Sequence, residues 1–80
     1  MKNLSSKNAV YLTSEALKKI NYDERKHILE ATFSNKRTYQ YKKVPATVWA
    51  ELINIIQTKK SAGAYFNTTI KPFYDCVEII

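Results

Sequence analysis

The sequence predicts a small α+β domain: an antiparallel sheet of about three strands, built around a central hairpin and packed by one main helix and a second short helix. Three observations support this fold class. Two segments of alternating polarity are joined by a short polar turn, an apolar helical stripe follows Pro45, and Ser61 opens a second helical pattern. With 80 residues, the chain is long enough for one domain and too short for two.

The first strand of the predicted hairpin covers residues 27–33. Leu29, Ala31 and Phe33 share one face of it, which is the period of two that a half-buried strand shows. The polar residues that follow predict a tight turn, because Asn35 belongs to a residue type that tolerates left-handed backbone geometry.

The second strand of the hairpin covers residues 37–42 and places Tyr39 and Tyr41 on one face. The turn between the two strands is short enough to join them as antiparallel neighbours. A further strand over residues 16–22 is predicted from a weaker pattern that ends in a polar turn.

The main helix is predicted from about Pro45 to about Thr58, because proline suits the first turn of a helix. Its apolar residues form one stripe, composed of Val48, Trp49, Leu52, Ile55 and Ile56. A second, shorter helix begins at Ser61, whose hydroxyl can cap the first turn, and ends at Pro72.

The two ends of the chain differ from the part between them. Residues 1–13 are polar and lack periodicity, so we expect them to be flexible or loosely packed. Residues 14–75 form the predicted α+β domain. The apolar segment 76–80 has two interpretations, an additional edge strand or a contact with a second copy of the chain in a homo-oligomer.

The composition disfavours several classes of protein. Cys76 is the single cysteine, so an internal disulfide is excluded and a reducing compartment is expected. Cys76 and His27 are too few ligands for a structural zinc site, and we expect neither a metal nor a cofactor. Neither a membrane span nor a signal peptide is visible. The expected location is the cytoplasm of a bacterium, or of the host cell if a phage encodes the protein.

The positive charge is concentrated in the middle of the chain. The net charge is +6. Residues 31–74 contain seven basic residues and one acidic residue, Glu51. Such a segment favours an anionic partner, although a set of solvated lysines explains the same composition.

Several short motifs resemble the KTSC domain, which is named after the C-terminal region of some lysyl-tRNA synthetases and also occurs as short bacterial and phage proteins. The resemblance covers roughly residues 14–75 and implies a small α+β domain, with RNA binding as the usual suggestion. The turn after Phe33 lacks the glycine often found there. The matching residues are Tyr39-Gln40-Tyr41, Val44-Pro45, Ser61-Ala62-Gly63-Ala64-Tyr65-Phe66-Asn67, Ile70 and Tyr74.

The first candidate surface surrounds Tyr39 and Tyr41. Aromatic rings on a strand can stack on bases, and the flanking Arg37 and Lys42 can neutralise phosphates. Alternatively, both tyrosines face the helix and belong to the core, which leaves Gln40 and Lys42 exposed on the other face. The sequence leaves both interpretations open.

The second candidate is the turn that opens the second helix. A helix N-terminus offers free N–H groups and a partial positive charge to a phosphate. The alternative is an ordinary connection between helices, with a serine cap. The residues concerned are Lys59, Lys60, Ser61, Gly63 and Tyr65.

The third candidate combines Asn67, Lys71 and Tyr74. Their spacings of four and three residues place them on one side of a continuous helix. The asparagine can bond a base or ribose, the lysine a phosphate, and the tyrosine ring can stack. A surface helix with a local hydrogen bond is the alternative.

These features favour non-catalytic binding over enzymatic activity, because no carboxylate pair with a clear acid–base role is visible. The predicted ligand carries phosphate and is either RNA or another single strand, or a small linear or cyclic nucleotide. One alternative is a phage-type protein that sequesters a nucleotide signal of host defence. Another is a protein-interaction module that uses Trp49 or residues 77–80.

Overall fold

The structure, a computed structural model, describes residues 9–12 and 16–79. These residues form a five-stranded sheet, two α-helices and one π-helical turn. In chain order the elements are β1 (Val10–Tyr11), β2 (Leu17–Asp23), β3 (Ile28–Phe33), β4 (Thr38–Tyr41), α1 (Ala46–Gln57), α2 (Ala62–Tyr65), the π-turn (Phe66–Ile70) and β5 (Cys76–Ile79).

The sheet is antiparallel throughout, and its strand order follows the chain from β1 to β5. The predicted hairpin is confirmed as β3 and β4, with Leu29 opposite Tyr41 and Ala31 opposite Tyr39. The prediction of about three strands is wrong, since two edge strands complete the sheet. These strands, of two and four residues, are too short to show a clear alternation.

Helix α1 and the second helical segment, which consists of α2 and the π-turn, cover the same side of the sheet, which we call the inner face. The main helix lies within one residue of its predicted ends and buries Leu52 completely, while the rest of its apolar stripe packs half-buried around it. Removal of this apolar surface from water is the main stabilising contribution to such a fold. The buried core consists of Leu17, Ile20, Tyr22, Leu29, Ala31, Tyr41, Val44, Leu52, Ala62, Phe66 and Ile70.

The opposite, outer face carries a row of buried polar side chains. Asn21, Glu30 and Gln40 are paired across β2, β3 and β4, and each is at most 3% exposed. The Nε2 of Gln40 donates to the Oε1 of Glu30 at 3.1 Å. The expectation that Gln40 is exposed is therefore wrong, whereas Lys42 is exposed as expected.

The turn between β3 and β4 uses a left-handed residue, as expected, but at a different position. Lys36 has a φ of 69° and donates its N–H to the carbonyl of Phe33 at 3.0 Å. Asn35 instead accepts the N–H of Arg37 through its side-chain oxygen at 3.0 Å. A three-residue hairpin loop needs positive φ at its last position, and glycine is the usual residue there. This chain places a lysine at that position.

The described residues nearest to the two ends of the chain extend the sheet. In the N-terminal region, which we expected to be loosely packed, Val10 and Tyr11 pair with β2, and residues 1–8 and 13 lie outside the described residues. In the apolar C-terminal segment, Cys76–Ile79 form the edge strand β5, the first of its two interpretations, and residue 80 lies outside the described residues. Among the described residues, the helices are too short and too polar to cross a membrane.

Candidate ligand-binding cleft

A cleft of about 420 Å³ opens on the inner face of the sheet. Its floor and one wall come from strands: β3 ends in Phe33, β4 contributes both tyrosines, and β5 contributes Cys76. Lys71, which directly follows the π-turn, closes another side. The complete lining is Ala16, Phe33, Ser34, Asn35, Tyr39, Tyr41, Lys71 and Cys76.

The strand register explains why these side chains meet. Paired residues of neighbouring antiparallel strands point to the same face, and residues two apart on one strand do so as well. Tyr41 lies opposite Cys76, and Tyr39 lies opposite Glu78. The floor of the cleft is therefore the inner face of β4 and β5, where Cys76 and Glu78 are exposed.

The aromatic rings around the cleft form a connected cluster. Phe66 of the π-turn meets Phe33 at 5.6 Å between ring centres and Tyr41 at 5.1 Å, both nearly perpendicular. Tyr39 meets Phe33 at 5.8 Å with an angle of 68° between the rings. Such edge-to-face contacts stabilise an aromatic cluster beyond the burial of its area. They also fix the orientation of the Phe33 ring within the cleft wall.

The π-turn directs Lys71 towards the cleft. The backbone N–H of Lys71 donates to the carbonyl of Phe66 at 2.9 Å, which is the i to i−5 bond of a π-helix. The hydroxyl of Thr68 donates to the carbonyl of Ala64, a contact that often bends helices. Lys71 therefore lies on the same side as Phe66, with its ammonium 5.5 Å from the centre of the Phe33 ring.

Arg37 lies at the rim of the cleft, beside Tyr39. A hydrogen bond to the hydroxyl of Tyr39, and then the carboxylate of Glu78, raise the pKa of the Arg37 guanidinium. The nitrogen–oxygen distance between Arg37 and Glu78 is 3.8 Å, and both side chains are exposed. Arg37 thus keeps most of its charge accessible to solvent, because exposed pairs of this kind interact weakly.

Tyr41 belongs to the core and forms only the base of the cleft. It is 1% exposed. Burial, and then the neighbouring Cys76 thiol, raise the pKa of its hydroxyl. The predicted role of Tyr41 as a stacking surface is therefore wrong, because its ring faces are covered. The alternative, that the tyrosines face the helices, describes Tyr41 fully and the half-buried Tyr39 in part.

The turn between α1 and α2, which the sequence analysis proposed as a phosphate site, makes backbone contacts that end one helix and begin the next. Lys59 adopts a φ of 59° and donates to the carbonyl of Ile56, and Lys60 donates to that of Ile55. These two bonds are the Schellman pattern that ends a helix. The hydroxyl of Ser61 accepts the N–H of Ala64 at 3.1 Å. The interpretation as an ordinary capped helix connection accounts for this geometry.

The remaining predicted site residues lie outside the cleft lining. Asn67 and Lys42 are exposed, Gly63 is half-buried, and Tyr74 packs against the core. Burial, and then the carboxylate of Glu51, raise the pKa of Tyr65. The continuous helix on which Asn67, Lys71 and Tyr74 would share one side is not formed, because the π-turn and Pro72 interrupt it.

Of the predicted site residues, the structure thus brings Tyr39, Tyr41 and Lys71 into the cleft lining, and Arg37 lies outside the lining beside Tyr39. The structure adds a wall and rim that the sequence analysis did not assign to a site: Ala16, Phe33, Ser34, Asn35 and Cys76. The sequence did contain a signal for Phe33, because its alternation with Leu29 along β3 predicts that its side chain lies on the inner face. No group of three or more potential metal ligands occurs among the residues described.

These features define a class of small antiparallel α+β domain with an aromatic cleft between the sheet and the end of the second helical segment. The KTSC domain matches residues 13–74, so the chain belongs to the KTSC domain family. The crystal structure of a KTSC domain protein from Yersinia pestis superimposes with a TM-score of 0.81 at 27% sequence identity, covering 91% of this chain and 97% of that one. No curated protein matches the chain.

Proposed function

We propose that the protein is a non-catalytic binder of a small phosphate-bearing ligand, a nucleotide, and that the cleft beside Phe33 is its binding site. The observation that carries this proposal is the combination of aromatic walls and the ammonium of Lys71 at one cavity, with the guanidinium of Arg37 beside Tyr39, one of the residues that line it. Aromatic rings accept a base by stacking, and cations accept its phosphate.

The size of the cavity supports a small ligand rather than a polymer. Pockets for small molecules measure about 300–1,000 Å³. The cleft, at about 420 Å³, lies near the lower end of this range and favours a ligand of mononucleotide size. Such a protein would act by sequestering its ligand. This role agrees with a cleft lining of described residues that contains neither a carboxylate nor a histidine to act as a general acid or base.

The charges of the described residues also support an anionic ligand at this position. Lys36 and Arg37 lie in the turn next to Ser34 and Asn35, and Lys71 lies across the cleft. The one acidic side chain described on the adjoining inner face is Glu78, which Arg37 partly neutralises. Excess positive charge at a concave surface raises the local concentration of anions.

The first experiment is a thermal-shift and calorimetric screen with nucleoside monophosphates, cyclic dinucleotides and short RNA oligonucleotides at two salt concentrations. A pocket ligand raises the melting temperature and saturates at one short molecule. Affinity that instead grows with RNA length and falls steeply with salt would replace the proposal with an RNA-binding surface. If no anion changes the melting temperature, the protein-interaction module becomes the leading hypothesis.

Two variants distinguish the cleft from the turn before α2. Lys71→Ala should weaken nucleotide binding by about tenfold to a hundredfold, since a charge-assisted hydrogen bond contributes about 1.5–3 kcal/mol. Lys60→Glu should leave the affinity within about twofold, because Lys60 lies outside the cleft lining and surface charges interact weakly. The reverse result would move the site to the turn.

A further inference from the structure

The contact between Lys71 and Phe33 has a consequence for ligand selection. The ammonium of Lys71 lies over the ring of Phe33, 5.5 Å from its centre. Tyr39 and Phe66 meet the same ring nearly perpendicular to it, so neither of these rings stacks on it face to face. The aromatic face towards Lys71 is therefore occupied by a cation on a flexible side chain.

We propose, building on the proposed function, that Lys71 selects for ligands that carry a planar base and a phosphate together. In the free protein its ammonium covers the Phe33 ring face through a cation–π contact, which is weak for an exposed lysine. A phosphate group attracts the ammonium more strongly by a charge-assisted hydrogen bond. The cation moves to the phosphate, and the ring face becomes available for the base.

This exchange makes Lys71 a specificity-determining residue rather than only a source of charge. A nucleoside has no phosphate to attract the ammonium, so it must displace the cation without compensation. Inorganic phosphate attracts the ammonium but leaves the ring face of Phe33 uncovered. A nucleoside 5′-monophosphate satisfies both groups at once, and its base gains stacking on an aromatic ring.

The position of Lys71 supports this exchange. Its side chain is exposed, so the ammonium can leave the ring without breaking a buried contact. Its backbone is held by the bond from its N–H to the carbonyl of Phe66, and the aromatic contacts of Phe66 and Tyr39 hold the Phe33 ring. The ammonium therefore moves over a ring that stays in place.

The test measures the binding of the four nucleoside 5′-monophosphates, the matching nucleosides and inorganic phosphate to the wild-type protein and to Lys71→Ala. Alanine removes both the charge and the side chain that covers the Phe33 ring. The variant should bind the nucleotides about tenfold more weakly and the nucleosides at least about threefold more tightly. Lys60→Ala, which changes an exposed lysine outside the cleft lining, is the matched control and should change neither affinity.

An independent readout follows the exchange directly by NMR spectroscopy. In the free protein the ε-methylene protons of Lys71 should be shifted upfield by the Phe33 ring. This shift should disappear when a nucleoside monophosphate binds, and Phe33→Leu should abolish it in the free protein. A shift that persists in the nucleotide complex overturns the proposed exchange.

The possible failures are distinguishable. If wild-type protein binds none of the nucleotides, the proposed function fails and the selection by Lys71 fails with it. If wild-type protein binds nucleotides but Lys71→Ala weakens or leaves unchanged the binding of nucleosides, the nucleotide site stands. In that case the exchange at the Phe33 ring is wrong.

Discussion

The hydroxyl of Tyr22 donates a hydrogen bond to the backbone carbonyl of Val44, which lies 22 positions later in the chain. Both residues are almost completely buried. The same tyrosine ring stacks on Trp49 with 5.3 Å between ring centres and 11° between the planes. This pair therefore joins β2 to the segment that begins α1, and it gives Trp49 a packing role within the domain.

Removal of this hydroxyl should destabilise the protein. Tyr22→Phe keeps the ring and the stack on Trp49 but leaves the buried carbonyl of Val44 without this donor. We expect the free energy of unfolding to fall by about 1–3 kcal/mol. Urea denaturation with an unchanged m-value would measure it. An unchanged free energy of unfolding would mean that this carbonyl does not depend on Tyr22.

A glycine at the end of α1 should stabilise the protein. Lys59 is held in a left-handed conformation, with a φ of 59°, at the position where glycine usually ends a helix. Lys59→Gly should raise the free energy of unfolding by about 0.5–1 kcal/mol, because the strain removed exceeds the entropy that glycine adds to the unfolded chain. Lys60→Gly is the matched control and should bring no gain. Equal effects of the two substitutions would contradict the role of this conformation.

Stability should fall at alkaline pH because of buried tyrosines. Burial raises the pKa of Tyr22, Tyr41 and Tyr65 in the folded protein. Below the ordinary tyrosine pKa of about 10, these hydroxyls are protonated in both states and stability does not depend on them. Above it, the unfolded chain loses these protons first, so the free energy of unfolding decreases as pH rises towards the folded pKa values.

Denaturation midpoints from about pH 8 to about pH 11, followed together with tyrosinate absorbance, would measure this effect. Tyr41→Phe should make the alkaline loss of stability less steep, whereas Tyr11→Phe, at an exposed ring, is the control. If the wild-type protein and Tyr41→Phe lose stability with the same steepness, Tyr41 does not contribute.

Proline substitutions should distinguish the two edges of β5. The N–H of Lys42 donates to the carbonyl of Asp75. Hydrogen-bonded pairs recur at every second residue of an antiparallel ladder, so Gln40 and Val77 form the next such pair. The N–H of Val77 therefore points to β4, and that of Glu78 points to the free edge. Val77→Pro should cost about 1–3 kcal/mol of stability, and Glu78→Pro less than about 1 kcal/mol.

Val77→Ala and Glu78→Ala are the controls for the lost side chains. The same variants test the proposed homo-oligomer, because pairing through the free edge of β5 would need the N–H of Glu78. If sedimentation detects a homo-oligomer of the wild-type chain, Glu78→Pro should dissociate it. A destabilising Glu78→Pro together with a tolerated Val77→Pro would show that the N–H of Glu78, and not that of Val77, is bonded to β4.

Much of the fold could be predicted from local patterns. The alternation around Leu29 and Ala31 predicted the hairpin, and the stripe around Leu52 predicted α1 within one residue of its ends. The short edge strands could not be counted correctly, because Val10–Tyr11 and Cys76–Ile79 are strands only through pairing with their neighbours. The π-turn was not predicted either, and it redirects Lys71 away from the side expected from a regular helix.

Short-range periodicity and composition are enough to predict the α+β class, the central hairpin, the main helix and the excess of positive charge. Which of the charged residues stand beside a cavity depends instead on the packing of segments that are distant in the chain. Lys59 and Lys60 end a helix, while Lys71 lines the aromatic cleft and Arg37, far away in the chain, lies beside Tyr39 of the same cleft. Strand register and one π-helical bond produce that arrangement, and both arise only when the sheet and the second helical segment pack together.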